Sequence, residues 1–211
     1  MPFGGFSMKN PLRTTVKLCY IYFMTTMINE AAEAVREGNL IVFPTDTVYG
    51  IGCDPFNEEA LGALYAAKQR SIEKHIPLLV DSVETAESFG EINPTCRALL
   101  EEYWPGALTV IVRAAVPLSP YVRKENGTVA LRLPDYEDLL ELITAIGGAL
   151  AATSANISNK PAILSYDEAY ATFSEKAAVV LPGVTKRKES STIVDCTTDV
   201  PKIVRTGPVK I

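Results

Sequence analysis

The sequence predicts one α/β domain: a single twisted, mixed sheet with helices packed against it and a basic cleft. Three observations carry this expectation. Short apolar runs alternate with stretches of helical periodicity along the chain. Turn and cap residues punctuate nearly every junction. And 211 residues, 47% hydrophobic and 21% charged, are enough for one sizeable core, with no repeat, low-complexity tract or linker dividing them.

The elements follow in order. Met27–Glu37 places Ile28, Ala31, Ala32 and Val35 at helical spacing, and Gly38 ends the helix. Leu40–Phe43 reads as a buried strand. Asn57 is an N-cap for a helix carrying Leu61, Leu64 and Tyr65. Pro77–Val80 is a strand, and Ser82 caps the next helix. Asn93-Pro94 opens a helix through Tyr103, with proline at the first position. Strands at Leu108–Arg113 and Thr128–Leu133 precede a helix over Tyr136–Ile146 that stops at Gly147-Gly148. Leu150–Thr153 is a short strand. Ser165 and Glu168 form a capping box for Tyr166–Phe173. Ala177–Leu181, Thr192–Asp195 and Lys202–Arg205 are the closing strands.

The first 26 residues form an N-terminal extension unlike the 27–211 domain. Lys9, Arg13 and Lys17 precede an apolar run, Leu18–Met24, that is too short for a bilayer span of about 20 residues. No small-residue cleavage site follows it. Val16–Phe23 is expected to be an edge strand, or translation to start at Met24 or Met27. No membrane role is expected.

Charge and composition narrow the function. A net charge of −5 and a pI near 5.1 argue against a strongly basic nucleic-acid binder. A single histidine, His75, and four scattered cysteines without a CxxC leave zinc sites and Ser-His-Asp or Cys-His machinery poorly supported. No metal ligands are assigned. The cysteines read as reduced thiols of a cytoplasmic protein.

Polar clusters stand at the ends of apolar strands, where α/β proteins place ligands. Pro44-Thr45-Asp46-Thr47-Val48-Tyr49-Gly50-Ile51-Gly52 follows Leu40–Phe43; on its own it could be an ordinary turn bonded to its own backbone. Lys68-Gln69-Arg70, with Lys74 beyond, either complements a helix C-terminus or clamps phosphate. No Walker A sequence is present, so a phosphate site would have to be built this way. Thr153-Ser154-Ala155-Asn156 is a helix cap or a set of phosphate donors. Ser190–Asp195 and Val204-Arg205-Thr206-Gly207 are each weak alone. Arg132 interrupts an apolar strand and needs an anionic partner, from the protein or from a ligand. Trp104 reads as core or pocket wall.

Taken together and in order, PTDTVYGIG, KQR with a following lysine, WPGALT, ALRLP, TSANIS, STIVD and VRTG resemble the YrdC family over about Met27 to Ile211. The likeness is to its short, single-domain form. The resemblance implies a nucleotidyltransferase that joins L-threonine, bicarbonate and ATP into threonylcarbamoyl-AMP and pyrophosphate. Magnesium would accompany ATP. The product would pass to a tRNA-modifying threonylcarbamoyl transferase complex. It further implies that Thr47, Arg132, Ala152 and Ser191 line a threonine site. Lys68, Arg70, Lys74, Thr128, Ser154, Ala162 and Arg205 would meet ATP, with Asn156 supporting the same segment and Lys68 and Arg70 acting in catalysis.

Three positions depart from the family pattern. Ser71 stands where many members have proline, Asn159 where glycine usually follows, and Asp81 near a histidine of longer members; what replaces that histidine is left open. The chemistry suits the residues all the same. A threonine carbamate attacking an α-phosphate needs positioning and positive charge more than a protein nucleophile. Two alternatives remain at this level: an RNA-binding module using the same cleft, and a carbamoyl-adenylate-forming enzyme. A weak direct RNA contact is also left open.

Overall fold

The computed structural model describes the chain from Pro11 to Ile211 apart from Arg70 and Ile72, with side-chain surroundings from Leu18 onward. Its elements are α1 (Pro11–Arg36), β1 (Ile41–Phe43), β2 (Gly50–Cys53), α2 (Glu58–Lys68), β3 (Leu78–Val80), α3 (Val83–Phe89), β4 (Gly90–Glu91) and α4 (Pro94–Tyr103). Then come β5 (Leu108–Ala114), β6 (Thr128–Arg132), α5 (Glu137–Ala145), β7 (Ala149–Ser154), α6 (Tyr166–Phe173), β8 (Val179–Val180), β9 (Thr192–Asp195) and β10 (Lys202–Arg205).

The expected caps form. The Asn57 side chain accepts from the Ala60 N–H at 3.0 Å, Ser82 from Thr85 at 3.1 Å and Asn93 from Cys96 at 2.8 Å. Each satisfies a donor that the first helical turn leaves orphaned. At the end of α1, Gly38 takes φ +82° and the Asn39 N–H returns to the Ala34 carbonyl, a closure that suits a residue without a Cβ.

All the strands join one mixed sheet, in the order β10-β9-β5-β6-β3-β7-β2-β1-β8, with β4 beside β5. The pairs β5–β6, β2–β7 and β3–β7 are antiparallel, whereas β3–β6 and β5–β9 are parallel. Alternation along the strands sends side chains to two faces. One face packs Val42, Leu78, Val110 and Leu131 against α2, α3, α4 and α6 through Leu61, Leu64, Phe89, Leu100 and Phe173. The other packs Ile41, Phe43, Leu79 and Leu150 against α1 and α5 through Ile28, Val35, Leu142 and Ile143.

Two departures from the sequence expectation have physical causes. Val16–Phe23 is not an edge strand; it is part of α1. No glycine or proline interrupts the chain between Pro11 and Gly38, so extending a helix nucleated at Met27–Arg36 outweighs local β preference. Second, Gly50–Cys53, read as part of a ligand loop, is a strand that bridges β1 and β7. Its glycines hid it. A Cβ on Gly52 would meet the Ala151 carbonyl oxygen at 2.6 Å, so the close approach of β7 needs glycine there.

Leu18 to Phe23 are exposed, and Met24 is the first of these described side chains to be buried. A chain that starts at Met24 is therefore expected to keep its thermal midpoint within about 4 °C, equivalent to roughly 1 kcal/mol for a domain of this size. Aggregation or a larger fall would mean that the first turns of α1 hold part of the core.

Candidate active site

A cavity of about 380 Å³ opens on the sheet face that α1 and α5 only partly cover. Phe43, Leu79 and Ala152 belong both to its wall and to the core under those helices. Alternation explains how a strand can serve core and cavity together: Leu108, Val110 and Val112 point into the opposite core, while Thr109 and Ile111 line the cavity. On β6, Thr128, Ala130 and Arg132 reach it from successive same-side positions.

Arg132 is the best-anchored charge in the wall. Its Nη2 donates to Asp46 Oδ1 at 2.5 Å, its Nη1 to Thr47 Oγ1 at 3.0 Å and its Nε to the Gly106 carbonyl at 3.0 Å. Both partners of the ion pair are buried, with side chains 8% and 3% exposed. Burial pulls the guanidinium's pKa below its ordinary value, and the Asp46 carboxylate pushes back. A guanidinium has five N–H groups. Three bonds to the protein leave two for a ligand. The turn that carries Asp46 and Thr47 is itself fixed: Thr45 Oγ1 donates to the Val48 carbonyl at 2.7 Å and accepts from the Thr47 N–H at 2.9 Å.

Across the cavity, Ser191 is held from two sides. Its hydroxyl lies 2.8 Å from that of Thr109, and its carbonyl accepts from Arg205 Nη2 at 2.7 Å and Nε at 3.0 Å. The register of β10 on β9 shifts between Ile203 and Arg205, breaking strict alternation, and Val204 and Arg205 both line the cavity.

The end of β7 forms the remaining wall. Ser154 Oγ donates to Asn156 Oδ1 at 2.6 Å, and Asn156 Nδ2 donates to the Lys160 carbonyl at 2.8 Å. Below this loop lies Lys68, 1% exposed. Its ammonium donates to the carbonyls of Ser154 and Asn156, the latter at 2.8 Å. Its own carbonyl accepts from the Ser158 N–H at 2.9 Å. Lys74 Nζ donates to Asn159 Oδ1 at 2.9 Å, tying the segment after α2 to the same loop.

Residues 33–207 match the family model Sua5/YciO/YrdC, described as Telomere recombination. The chain belongs to this family. The threonylcarbamoyl-AMP synthase of Vibrio cholerae is 35% identical over 161 residues, covering 75% of this chain and 86% of that protein. A Mycobacterium leprae protein that bears the same name provisionally is 39% identical over 186 residues, covering 87% and 84%. In the crystal structure of Pyrococcus abyssi Sua5 complexed with L-threonine, the likeness covers 84% of this chain and 53% of that one, with TM-score 0.80 and 33% identity. Escherichia coli YciO matches in fold alone, with TM-score 0.79 at 23% identity over 85% of this chain and 88% of that one. The chain thus spans about half the length of Sua5 and most of the length of the shorter relatives.

The motifs that this chain shares with the Sua5/YciO/YrdC family meet in one place. Thr47, Lys74, Thr128, Arg132, Ala152, Ser154, Ser191 and Arg205 all line the cavity. Lys68, Asn156 and Ala162 do not stand among its lining residues. The first two brace the loop that carries Ser154. Arg70 lies outside the described residues.

Sequence reasoning passed over Asp46 as the partner of Arg132, and it missed Thr109, Lys124 and His75 in the cavity wall. The signal for Thr109 was there: one hydroxyl among the aliphatic residues Leu108–Val112. Asp81 is engaged elsewhere, accepting from Thr85 at 2.7 Å and Thr144 at 3.0 Å. His75 reaches the cavity, with Nδ1 3.2 Å from the Glu73 carbonyl.

Proposed function

We propose that the cavity is the site at which this threonylcarbamoyl-AMP synthase converts L-threonine, bicarbonate and ATP into threonylcarbamoyl-AMP, pyrophosphate and water. The observation that carries the reading is the meeting, in one cavity, of Arg132 with Thr47 and of Ser191 with Arg205.

The threonine carboxylate takes the two N–H groups that Arg132 has left, beside Thr47, Ala152 and Ser191. Because Asp46 and the Gly106 carbonyl fix the guanidinium before substrate arrives, little rotamer freedom is lost on binding. ATP lies toward Thr128, Ser154, Lys74 and Arg205, with Arg70 and Ala162 assigned to it from the sequence. Lys68 acts as a positioning residue, holding the Ser154–Asn156 loop from beneath. The threonine amine and bicarbonate give a carbamate, with loss of water. Its oxygen attacks the α-phosphorus, the bond to the bridging oxygen breaks, and pyrophosphate leaves with the electron pair. Bicarbonate, the carbamate, ATP and pyrophosphate are all anionic, so preorganised donors supply the main acceleration.

Magnesium enters with ATP as part of the substrate. Among the described residues no group of three His, Cys, Asp or Glu side chains could hold an ion, so the phosphates are its ligands in this reading. No helix among the described residues is long and apolar enough to cross a membrane, and we place the reaction in the cytoplasm. The product would be consumed by a threonylcarbamoyl transferase acting on tRNA.

The test is pyrophosphate release with each substrate omitted in turn. Release that requires L-threonine and bicarbonate together is the expected result. Turnover without threonine would overturn the substrate assignment, and turnover with threonine but without bicarbonate would remove the carbamate step.

A further inference from the structure

The cations of the cavity wall differ in how far the protein already uses them. Arg132 is bonded to Asp46, Thr47 and Gly106, Arg205 to the Ser191 carbonyl, and Lys74 to Asn159. Lys124 also lines the cavity, and among the described residues its ammonium has no acceptor. A nucleotide triphosphate carries several negative charges along its length, and an ammonium that meets no protein oxygen has all its donors available for one of them.

The position of Lys124 is set by its backbone. Its N–H donates to the Thr128 carbonyl and its carbonyl accepts from the Gly127 N–H, both at 2.9 Å. Gly127 takes φ +81°, a conformation that costs a glycine little. This tight turn places Lys124 over the first residue of β6. The neighbouring wall is joined to it: the Ile76 N–H donates to the Tyr121 carbonyl at 3.0 Å, and the Tyr65 hydroxyl meets the carbonyls of both Lys74 and Tyr121 at 3.0 Å. Lys74 and Lys124 therefore stand on two segments laced together at one rim. Arg132 is at the far end of β6, four residues from Thr128 and so about 13 Å away along an extended strand.

We propose that Lys124 is a further ATP-binding residue that meets the β- and γ-phosphates, the group that departs as pyrophosphate. This rests on the nucleotide reading given above. The α-phosphate must lie toward Arg132 and Thr47, where threonine is held, so the rest of the triphosphate runs toward the Lys124 rim. A flexible, exposed ammonium suits a group that must later leave: it gives charge without the rigid fork of an arginine.

Titration calorimetry of the 211-residue chain and its Lys124→Ala variant with ATP and with AMP tests this. Loss of one charge-assisted contact is expected to weaken ATP binding about tenfold. AMP, which lacks both outer phosphates, should bind the two proteins alike. Lys124→Arg should restore most of the ATP affinity, and KM for threonine should not move. Because Lys124 is exposed, the urea midpoint should also stay where it is. Unchanged ATP affinity in Lys124→Ala would overturn the assignment, as would equal weakening toward ATP and AMP. If the unsubstituted chain binds neither nucleotide, the nucleotide reading itself fails and the role of Lys124 goes with it. Normal ATP binding by the parent beside an unaffected variant sinks only Lys124.

Discussion

Arg132→Ala is expected to destabilise the fold by about 3–5 kcal/mol and to bring threonine-dependent pyrophosphate release below detection. Both effects follow from the same geometry. Asp46, 3% exposed at its side chain, would be left as a buried carboxylate without its counter-ion. The Gly106 carbonyl and Thr47 would each lose a donor as well. Arg132→Lys should recover some stability and little activity, because one ammonium cannot reach Asp46, Thr47, the Gly106 carbonyl and a substrate carboxylate at once. Pairing Asp46→Asn with Arg132→Met separates fold from chemistry. With the buried charge gone from both sides, urea unfolding should show the double variant more stable than Arg132→Met alone, while its activity stays lost. Retained threonine affinity in that soluble double variant would show that Arg132 only supports the fold.

The second large effect is expected at Lys68. Lys68→Met keeps the volume of the stem and removes the donor shared by the Ser154 and Asn156 carbonyls. The cost is about 2–3 kcal/mol, since two charged hydrogen bonds are lost and the half-buried Ser154 carbonyl keeps only the Asn156 N–H. Turnover should fall by about 10²-fold, the scale on which a small misplacement of a positioning group acts. The two readouts together decide how Lys68 works. If it holds the loop, stability and turnover fall together. If its ammonium met the nucleotide directly, turnover and ATP-induced thermal stabilisation would vanish while the urea midpoint of the ligand-free protein stayed put. That second pattern would return Lys68 from a positioning role to direct contact with ATP.

Most of the fold was legible because its signals are local. Asn57, Ser82 and Asn93 each sit one residue before a helix and bond into its first turn, so a cap read from sequence marks a boundary in space. Leu108–Arg113 was legible because Leu108 and Val110–Val112, four large aliphatics in five positions, have little choice but burial. The N-terminal segment was misread because Val16–Phe23 carries β-branched and aromatic residues, whereas helix continuity is a property of the whole Pro11–Arg36 stretch. Gly50–Cys53 escaped because half of it is glycine, and what makes it a strand is pairing to Ile41–Phe43 on one side and Ala151–Ser154 on the other. Such pairing is not local.

The site divides in the same way. The need of Arg132 for an anion could be read from its place in an apolar strand. That the anion is Asp46, 86 positions away in the chain, could not be. Lys68 shows the limit of reading a motif by its charge: the residue type suggests a phosphate contact, whereas burial at 1% beneath two carbonyls is what the bracing role proposed above rests on.

β10 ends the sheet, and its outer edge pairs with no other strand among the described residues. Ile203 and Val204 are exposed on it. A flat edge of that composition invites strand addition by another chain, the first step of an ordered aggregate. Here the irregular register after Ile203 breaks the ladder's flatness, and Lys202 and Arg205 flank the two apolar residues with like charge. The bulge that brings Arg205 to the cavity thus doubles as a gatekeeper of colloidal stability. An apolar residue at position 205 would remove a flanking charge from the edge and, at the same time, the donor that holds the Ser191 carbonyl at the cavity wall.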